Sequence, residues 1–159
     1  MIDVAKHAQR ILAAMRKDRR SERIFPGYVP FDEVGSLNWW SAEICADAQG
    51  TVLGVHENQP DTRAGAIVIT EMGLVVLGQG SDSTWLPYSG ISGWEKLSKE
   101  PISRSLHIRT KQGEQVELLF PGGRAFAFVQ FLSSAIREHA RVSLKNDLEG
   151  DRASDDELC

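Results

Sequence analysis

The sequence has little of what disulfide-bonded, secreted or membrane-spanning proteins need. It has two cysteines in 159 residues, Cys45 and Cys159, and the second ends a polar tail, so we expect no structural disulfide. No apolar run has the length of a membrane span. A signal-peptide core is missing because Lys6, Arg10 and Arg16 interrupt the N-terminus. We therefore expect a soluble protein of the cytoplasm.

Motifs that carry chemistry are also missing. The histidines, His7, His56, His107 and His139, each stand alone, and His56-Glu57 lacks the second histidine of a zincin. There is no Gly-x-Ser-x-Gly elbow. We expect no catalytic residue, metal or cofactor, and hence a non-enzymatic protein. An alternative hypothesis is a hydrolytic or small-ligand-binding barrel whose site is assembled from distant residues.

Charge is unevenly distributed along the chain. The net charge of −4 gives no reason to expect nucleic-acid binding. Residues 1–23 hold seven Lys or Arg against three acids, a net +4, and residues 3–20 have apolar residues at helical spacing. One hypothesis is a peripheral membrane adaptor whose anionic-surface contacts are Arg16, Lys17, Arg19 and Arg20. The other is that this helix packs on its own domain or on a second copy.

Two hairpins give the clearest structural pattern. Residues 65–70 and 74–77 are apolar and β-branched, and a three-residue connection ending at Gly73 joins them. Such connections commonly end in a residue with positive φ, which glycine adopts at no steric cost. In the second hairpin, apolar and polar residues alternate through residues 106–110 and 116–120, as in half-buried strands. Leu119 interrupts the polar face, so we expect that face to be partly covered.

The neighbouring stretches complete this pattern. Residues 51–57 predict a first strand, and residues 84–97 predict one or two strands with a sharp kink, because Pro87 cannot donate to a ladder. From Ala125 the apolar period becomes 3.6, which predicts a helix with one buried face. We expect this helix to cap the sheet and to fray beyond Val142.

These stretches resemble a known family. Residues 65–77 are similar to the "glycine, apolar, apolar, threonine, x, x, x, leucine" hairpin of GRAM and bacterial pleckstrin-homology-like domains, and residues 86–91 resemble the next strand. Residues 107–110 and 117–120 resemble the hairpin that follows, and the final helix lies where theirs does. The resemblance covers residues 50–141. It implies a mainly β fold, a bent seven-stranded antiparallel barrel plugged by a C-terminal helix.

Three regions follow from this division. Residues 1–48 form an N-terminal helical extension, with one or two short helices expected over residues 31–46. Residues 49–143 form the barrel with its capping helix. Residues 144–159 hold two basic residues against six acids, a net −4, and few apolar residues, so we expect a disordered acidic tail.

The functional hypothesis is a protein-binding or scaffold module that acts through a sheet edge or the N-terminal segment, with another protein or a second copy of itself as partner. Adjacent tryptophans on one helix cannot face the same core, and tryptophan at a barrel mouth often marks a contact site. Trp39, Trp40 and Trp94 are therefore the candidate partner contacts, and the alternative hypothesis is that they pack within the chain. Binding of phosphoinositides is not expected, because the loop after the first strand offers only Arg63 against Glu57 and Asp61.

Overall fold

The structure is a computed structural model that describes residues 28–30, 34–35, 37–46, 48–58, 62–78, 82–99, 101, 103–120 and 125–156. Within these ranges the chain forms eight strands and one long helix. In chain order they are β1 Tyr28–Pro30, β2 Val52–His56, β3 Ile67–Thr70, β4 Gly73–Leu77, β5 Ser83–Pro87, β6 Ile91–Trp94, β7 Ser105–Thr110, β8 Gln115–Leu119 and α1 Ala125–Asp156.

The strands form two antiparallel sheets. The first has the order β1-β2-β3-β4-β5 and the second has the order β6-β7-β8. A single 3₁₀ turn at Tyr88–Gly90 carries the chain from β5 into β6, so the predicted kink is the corner between the sheets. No described strand pairs with both sheets, so the described residues do not form a closed barrel. The prediction of a mainly β chain with a C-terminal helix is confirmed.

The main core lies between the two sheets and α1. Three phenylalanine rings occupy its centre: Phe120 and Phe128 have centroids 5.0 Å apart, and those of Phe128 and Phe131 are 6.0 Å apart. All three side chains are essentially inaccessible to solvent. Burying each one stabilises the fold by about 1.5–3 kcal/mol. The helix is therefore part of the fold, as its apolar spacing predicts.

A second core covers the outer face of the first sheet. The described residues between 34 and 48 lie over this face, and Val34 and Leu37 pack there against Val55, Val68 and Val75. All four residues of β3 are buried as a result. A strand covered on both faces has a continuous apolar run instead of an alternating one. This second layer explains the unbroken Ile-Val-Ile of β3, which a one-sided sheet would not require.

The N-terminal region differs from its prediction where it is described. Residues 28–30 form an edge strand paired with β2, in the register Tyr28 to His56. Of the helices predicted over residues 31–46, the structure contains a 3₁₀ turn at Ala42–Cys45, capped by Ser41, whose Oγ accepts from the amide of Glu43 at 3.3 Å. The helix predicted over residues 3–20 lies outside the described residues.

The first hairpin forms as predicted, but the role of its glycine differs. The prediction of a positive φ at Gly73 is wrong, since among the described glycines Gly50, Gly65 and Gly113 have this conformation. Glycine is required at position 73 because there is no room for a side chain: a Cβ there would lie 2.5 Å from the carbonyl oxygen of Leu86. Thr70 closes the turn, because its Oγ1 accepts from the amides of Met72 and Gly73 at 3.1 and 3.0 Å.

Two further differences concern exposed positions. Leu119 is 40% exposed, so the outer face of β8 is more open than its sequence predicts. Helix α1 continues to Asp156, well past the end expected near Val142. The sequence after residue 142 is poor in apolar residues but contains no proline, and Leu, Lys, Glu, Arg and Ala all favour helix. The helix therefore continues after residue 142 although this part of the chain has few apolar side chains to pack.

We expect Gly73→Ala to lower the free energy of unfolding by about 1–3 kcal/mol, because the new carbon meets the β5 backbone on two sides. Denaturant unfolding followed by tryptophan fluorescence measures the change. Gly35→Ala is the matched control: a Cβ at Gly35 has no neighbour within 4 Å, so its effect should stay within about 0.5 kcal/mol. Equal losses in the two variants would contradict the close contact between β4 and β5.

Candidate functional site

A groove of about 280 Å³ lies between strand β6 and helix α1. We call it the β6 groove. Strand β6 is the outer strand of the second sheet, and among the described strands it pairs only with β7. The groove thus combines an open sheet edge with a helix wall. Its lining residues are Ile91, Ser92, Gly93, Trp94, Ser133, Ile136 and Arg137.

A bulge in β6 makes the floor of the groove apolar. The register shifts between Ile91 and Gly93, which pair with Thr110 and Arg109. In a regular strand, residues three apart point to opposite faces, and one extra residue restores them to the same face. Ile91 and Trp94 accordingly both belong to the main core, Ile91 buried and Trp94 half-buried.

Tyr88 sets the position of β6 relative to α1. Its hydroxyl donates to the carbonyl oxygen of Thr70 at 2.8 Å, and its amide donates to the carbonyl oxygen of Met72 at 3.0 Å. Its ring contacts Phe131 and His139 of α1 edge-on, with both centroid distances 6.4 Å. One side chain therefore fixes the turn of the first sheet, the corner and the helix together.

The rim of the groove is polar and carries positive charge. Arg137 is exposed on the helix wall, and Nη2 of Arg109 lies 3.4 Å from where a Cβ of Gly93 would stand. The nearby carboxylate of Glu95 is engaged elsewhere: it lies 3.5 Å from Nδ1 of His107 and accepts from Gln115 Nε2 at 3.1 Å. Within the described ranges, no ion pair involves Arg137.

The sequence-predicted contact residues have different locations. Trp94 lines the β6 groove. Trp39 and Trp40 both pack, half-buried, against the second core, with ring centroids 6.1 Å apart. They can share a core because they lie in a turn and not on a helix, and their position agrees with the alternative that they pack within the chain. Trp39 Nε1 also donates to the buried carboxylate of Glu57 at 3.1 Å.

The basic residues proposed for anionic surfaces do not enter the site. Arg16, Lys17, Arg19 and Arg20 lie outside the described residues, so that hypothesis stays a prediction. Sequence reasoning missed Ser133 and Arg137. The helical pattern assigns Ser133 to neither face of the helix and Arg137 to the solvent face. Only the angle at which α1 crosses β6 brings them to the groove, and no local pattern encodes that angle.

The remaining candidate groups for chemistry are dispersed. His56 is buried with its ring 5.1 Å from that of Phe120, and His107 lies on the outer face of β7 beside Glu95 and Glu117. In the part of the chain that the structure describes, no three His, Cys, Asp or Glu residues are grouped as a metal site would need. No helix among the described residues is both long enough and apolar enough to cross a membrane.

Comparison with known proteins found no matching family model, no significantly similar curated protein and no significantly similar solved structure.

Tyr88→Phe should lower the free energy of unfolding by about 1–3 kcal/mol, because the buried carbonyl oxygen of Thr70 loses its hydroxyl donor. Chemical denaturation measures this loss. Thr84→Val removes an exposed hydroxyl from the adjacent strand β5 and should change stability by less than about 0.5 kcal/mol. If Tyr88→Phe were as stable as the unsubstituted protein, Tyr88 would not hold the corner in place.

Cys45 should react slowly with thiol reagents. Burial raises the pKa of its thiol, so less thiolate is present at neutral pH, and the thiolate is the reactive form. In a Cys159→Ser background, we expect a chromogenic disulfide to modify Cys45 more slowly in the folded protein than in denaturant. Equal rates in the two conditions would show that the 3₁₀ turn does not protect the thiol.

Proposed function

We propose that this chain is a non-enzymatic protein-binding module of pleckstrin-homology-like architecture. The proposed binding site is the β6 groove, and the ligand is an extended segment of a different protein. The observation that carries the proposal is that an open strand edge and an apolar-floored groove share the same four residues, Ile91–Trp94. The architecture is supported by the element order over residues 50–141, where four strands (β2–β5), a corner, three strands (β6–β8) and a core-forming helix follow the order expected for that family. Strand β1 is an addition to this order.

The edge supplies affinity. An outer strand presents backbone N–H and C=O groups on the side away from its partner, and an extended segment can add to them as a further strand. The bulge between Ile91 and Gly93 limits how far such pairing can run along β6. A short segment is therefore the expected ligand, and pairing along a long edge is disfavoured.

The groove supplies selectivity. Its volume of about 280 Å³ lies below the roughly 300–1,000 Å³ of sites that hold drug-sized molecules. It suits one or two apolar side chains of a strand that pairs with β6, since alternate residues of that strand point towards α1. Ile91, Trp94 and Ile136 would contact them. Within this groove, the small volume favours the side chains of a peptide over a drug-sized molecule.

Arg137 adds a charge requirement. Its guanidinium is exposed at the rim, where it can meet a carboxylate of the bound segment. Pairing at such an open rim contributes only about 0–1 kcal/mol, and salt screens it. We therefore expect the apolar side chains to provide most of the affinity, and the acidic residue to accelerate association.

Selection from a displayed library of random peptides tests the proposal. We expect enriched peptides with apolar residues at alternate positions, bound to the full chain. Ser133→Tyr fills the groove from the helix wall and should abolish binding of these peptides, measured by fluorescence anisotropy. Gln130→Tyr introduces the same side chain at an exposed α1 position outside the groove lining and should leave binding unchanged.

Hydrogen exchange with a selected peptide supplies an independent measurement. Amides of β6 should become protected on binding, since the edge gains a strand partner. The proposal is overturned if the library yields no peptide, or if peptides bind Ser133→Tyr as tightly as the unsubstituted protein. A concentration-dependent dimer that Ser133→Tyr abolishes would assign the groove to a second copy instead.

A further inference from the structure

The C-terminal part of α1 extends away from the core. The ring of His139, which contacts Tyr88, is the last described ring contact between the helix and the body. Beyond it, Ala140, Arg141 and residues 144–148 are all exposed. We call residues 140–156 the α1 extension. These 17 residues of α1 reach about 26 Å at 1.5 Å per residue.

The α1 extension has an apolar ridge. Leu144 and Leu148 are 65% and 66% exposed, and they are two of the three large hydrophobic residues that are exposed among the described residues. With Ala140 they continue, at four-residue spacing, the row that begins at Ile136 in the β6 groove. Residues four apart on a helix form such a ridge, and ridges pack into the grooves of a second helix.

The charge of this region selects its partner. Residues 140–156 hold five acidic side chains against three basic ones, a net charge of −2, so two α1 extensions from separate copies repel each other. A helix that suits the apolar ridge of the α1 extension therefore has an apolar stripe of its own and carries positive charge. Residues 3–20 have that stripe, at Val4, Ala8, Ile11, Leu12 and Met15, and residues 1–23 carry a net charge of +4. Their apolar residues also recur at four-residue spacing, which matches the ridge.

The chain is long enough for this contact to form within one molecule. Tyr28 pairs with His56, whose ring lies 6.4 Å from that of Phe128, so β1 emerges near the start of α1. From Phe128 to Leu144 the helix rises about 24 Å. Between residues 20 and 28 an extended chain spans at most about 26–29 Å. Residue 20 can therefore lie near Leu144, and residues 3–20, which span about 26 Å more as a helix, can extend past Leu148 of their own chain.

We infer that residues 3–20 dock as a helix on the α1 extension of the same chain, with their apolar stripe on Leu144 and Leu148. The docked pair forms a helical hairpin beside the body. The contact hides the positive charge of residues 1–23 from anionic surfaces. It also gives a marginal, solvent-exposed helix the packing partner that isolated helices of this length need in water.

Disulfide cross-linking in the full chain tests this inference. In a Cys45→Ala, Cys159→Ala background, cysteine replaces Leu144 together with Ala8, Ile11 or Met15. For at least one of the three pairs, we expect an intrachain disulfide to form about tenfold faster than with Asn146→Cys, which points away from the ridge. High salt should slow this cross-link, since the screening length falls from about 10 Å at 0.1 M to 3 Å at 1 M.

Non-reducing electrophoresis separates the outcomes. An intrachain disulfide at the ridge supports docking within one chain. Covalent dimers, equal rates at residues 144 and 146, or no disulfide with any pair would each overturn it. None of the cysteine positions lines the β6 groove, so these results are independent of peptide binding. Circular dichroism of each reduced variant checks that the fold is retained.

Discussion

Burial of the aromatic face of α1 between the two sheets is the contact on which the other features depend. Phe128 and Phe131 reach the inner surfaces of both sheets, and Phe120 meets them from the end of β8. Without the helix, the inner faces of the sheets would be open to water at the position of these rings. The same contact places the outer side of α1 along β6 and so creates the second wall of the groove.

The corner at Tyr88–Gly90 converts this packing into a binding surface. Tyr88 ties the turn after Thr70 to the helix, and the chain then enters β6 as an outer strand. A bulge two residues later directs Ile91 and Trp94 to the same side. An open edge is a hazard for aggregation unless it is short or interrupted. In β6 it is both, which suits a selective edge that accepts a short segment.

The two halves of the chain also differ in how their surfaces are covered. The outer face of the first sheet is covered by the described residues between 34 and 48, and both Trp39 and Trp40 contribute to that layer. The second sheet has no such cover among the described residues, so its outer face carries polar side chains such as His107 and Glu117. Among the described residues, the asymmetry leaves the β6 edge and the outer face of the second sheet open to partners.

Local patterns predicted the elements well because period-two and period-3.6 spacing depend only on neighbours in the chain. The strands of both hairpins, the kink near Pro87 and the start of α1 at Ala125 are all evident in this way. The end of α1 at Asp156 was not predicted, because the apolar stripe used for the prediction stops near Val142. The formation of the exposed part of the helix depends on the helix propensity of its residues and on distant partners.

The sequence by itself thus determined which segments become strands and helix, and that the chain is mainly β. Only the tertiary structure decided that Gly73 needs space and not a positive φ, and that Arg137 and Trp94 share a groove. The physical reason is that those properties arise where segments far apart in sequence meet. Their distances are set by the packing of Tyr88 and Phe131, which no single stretch of sequence encodes.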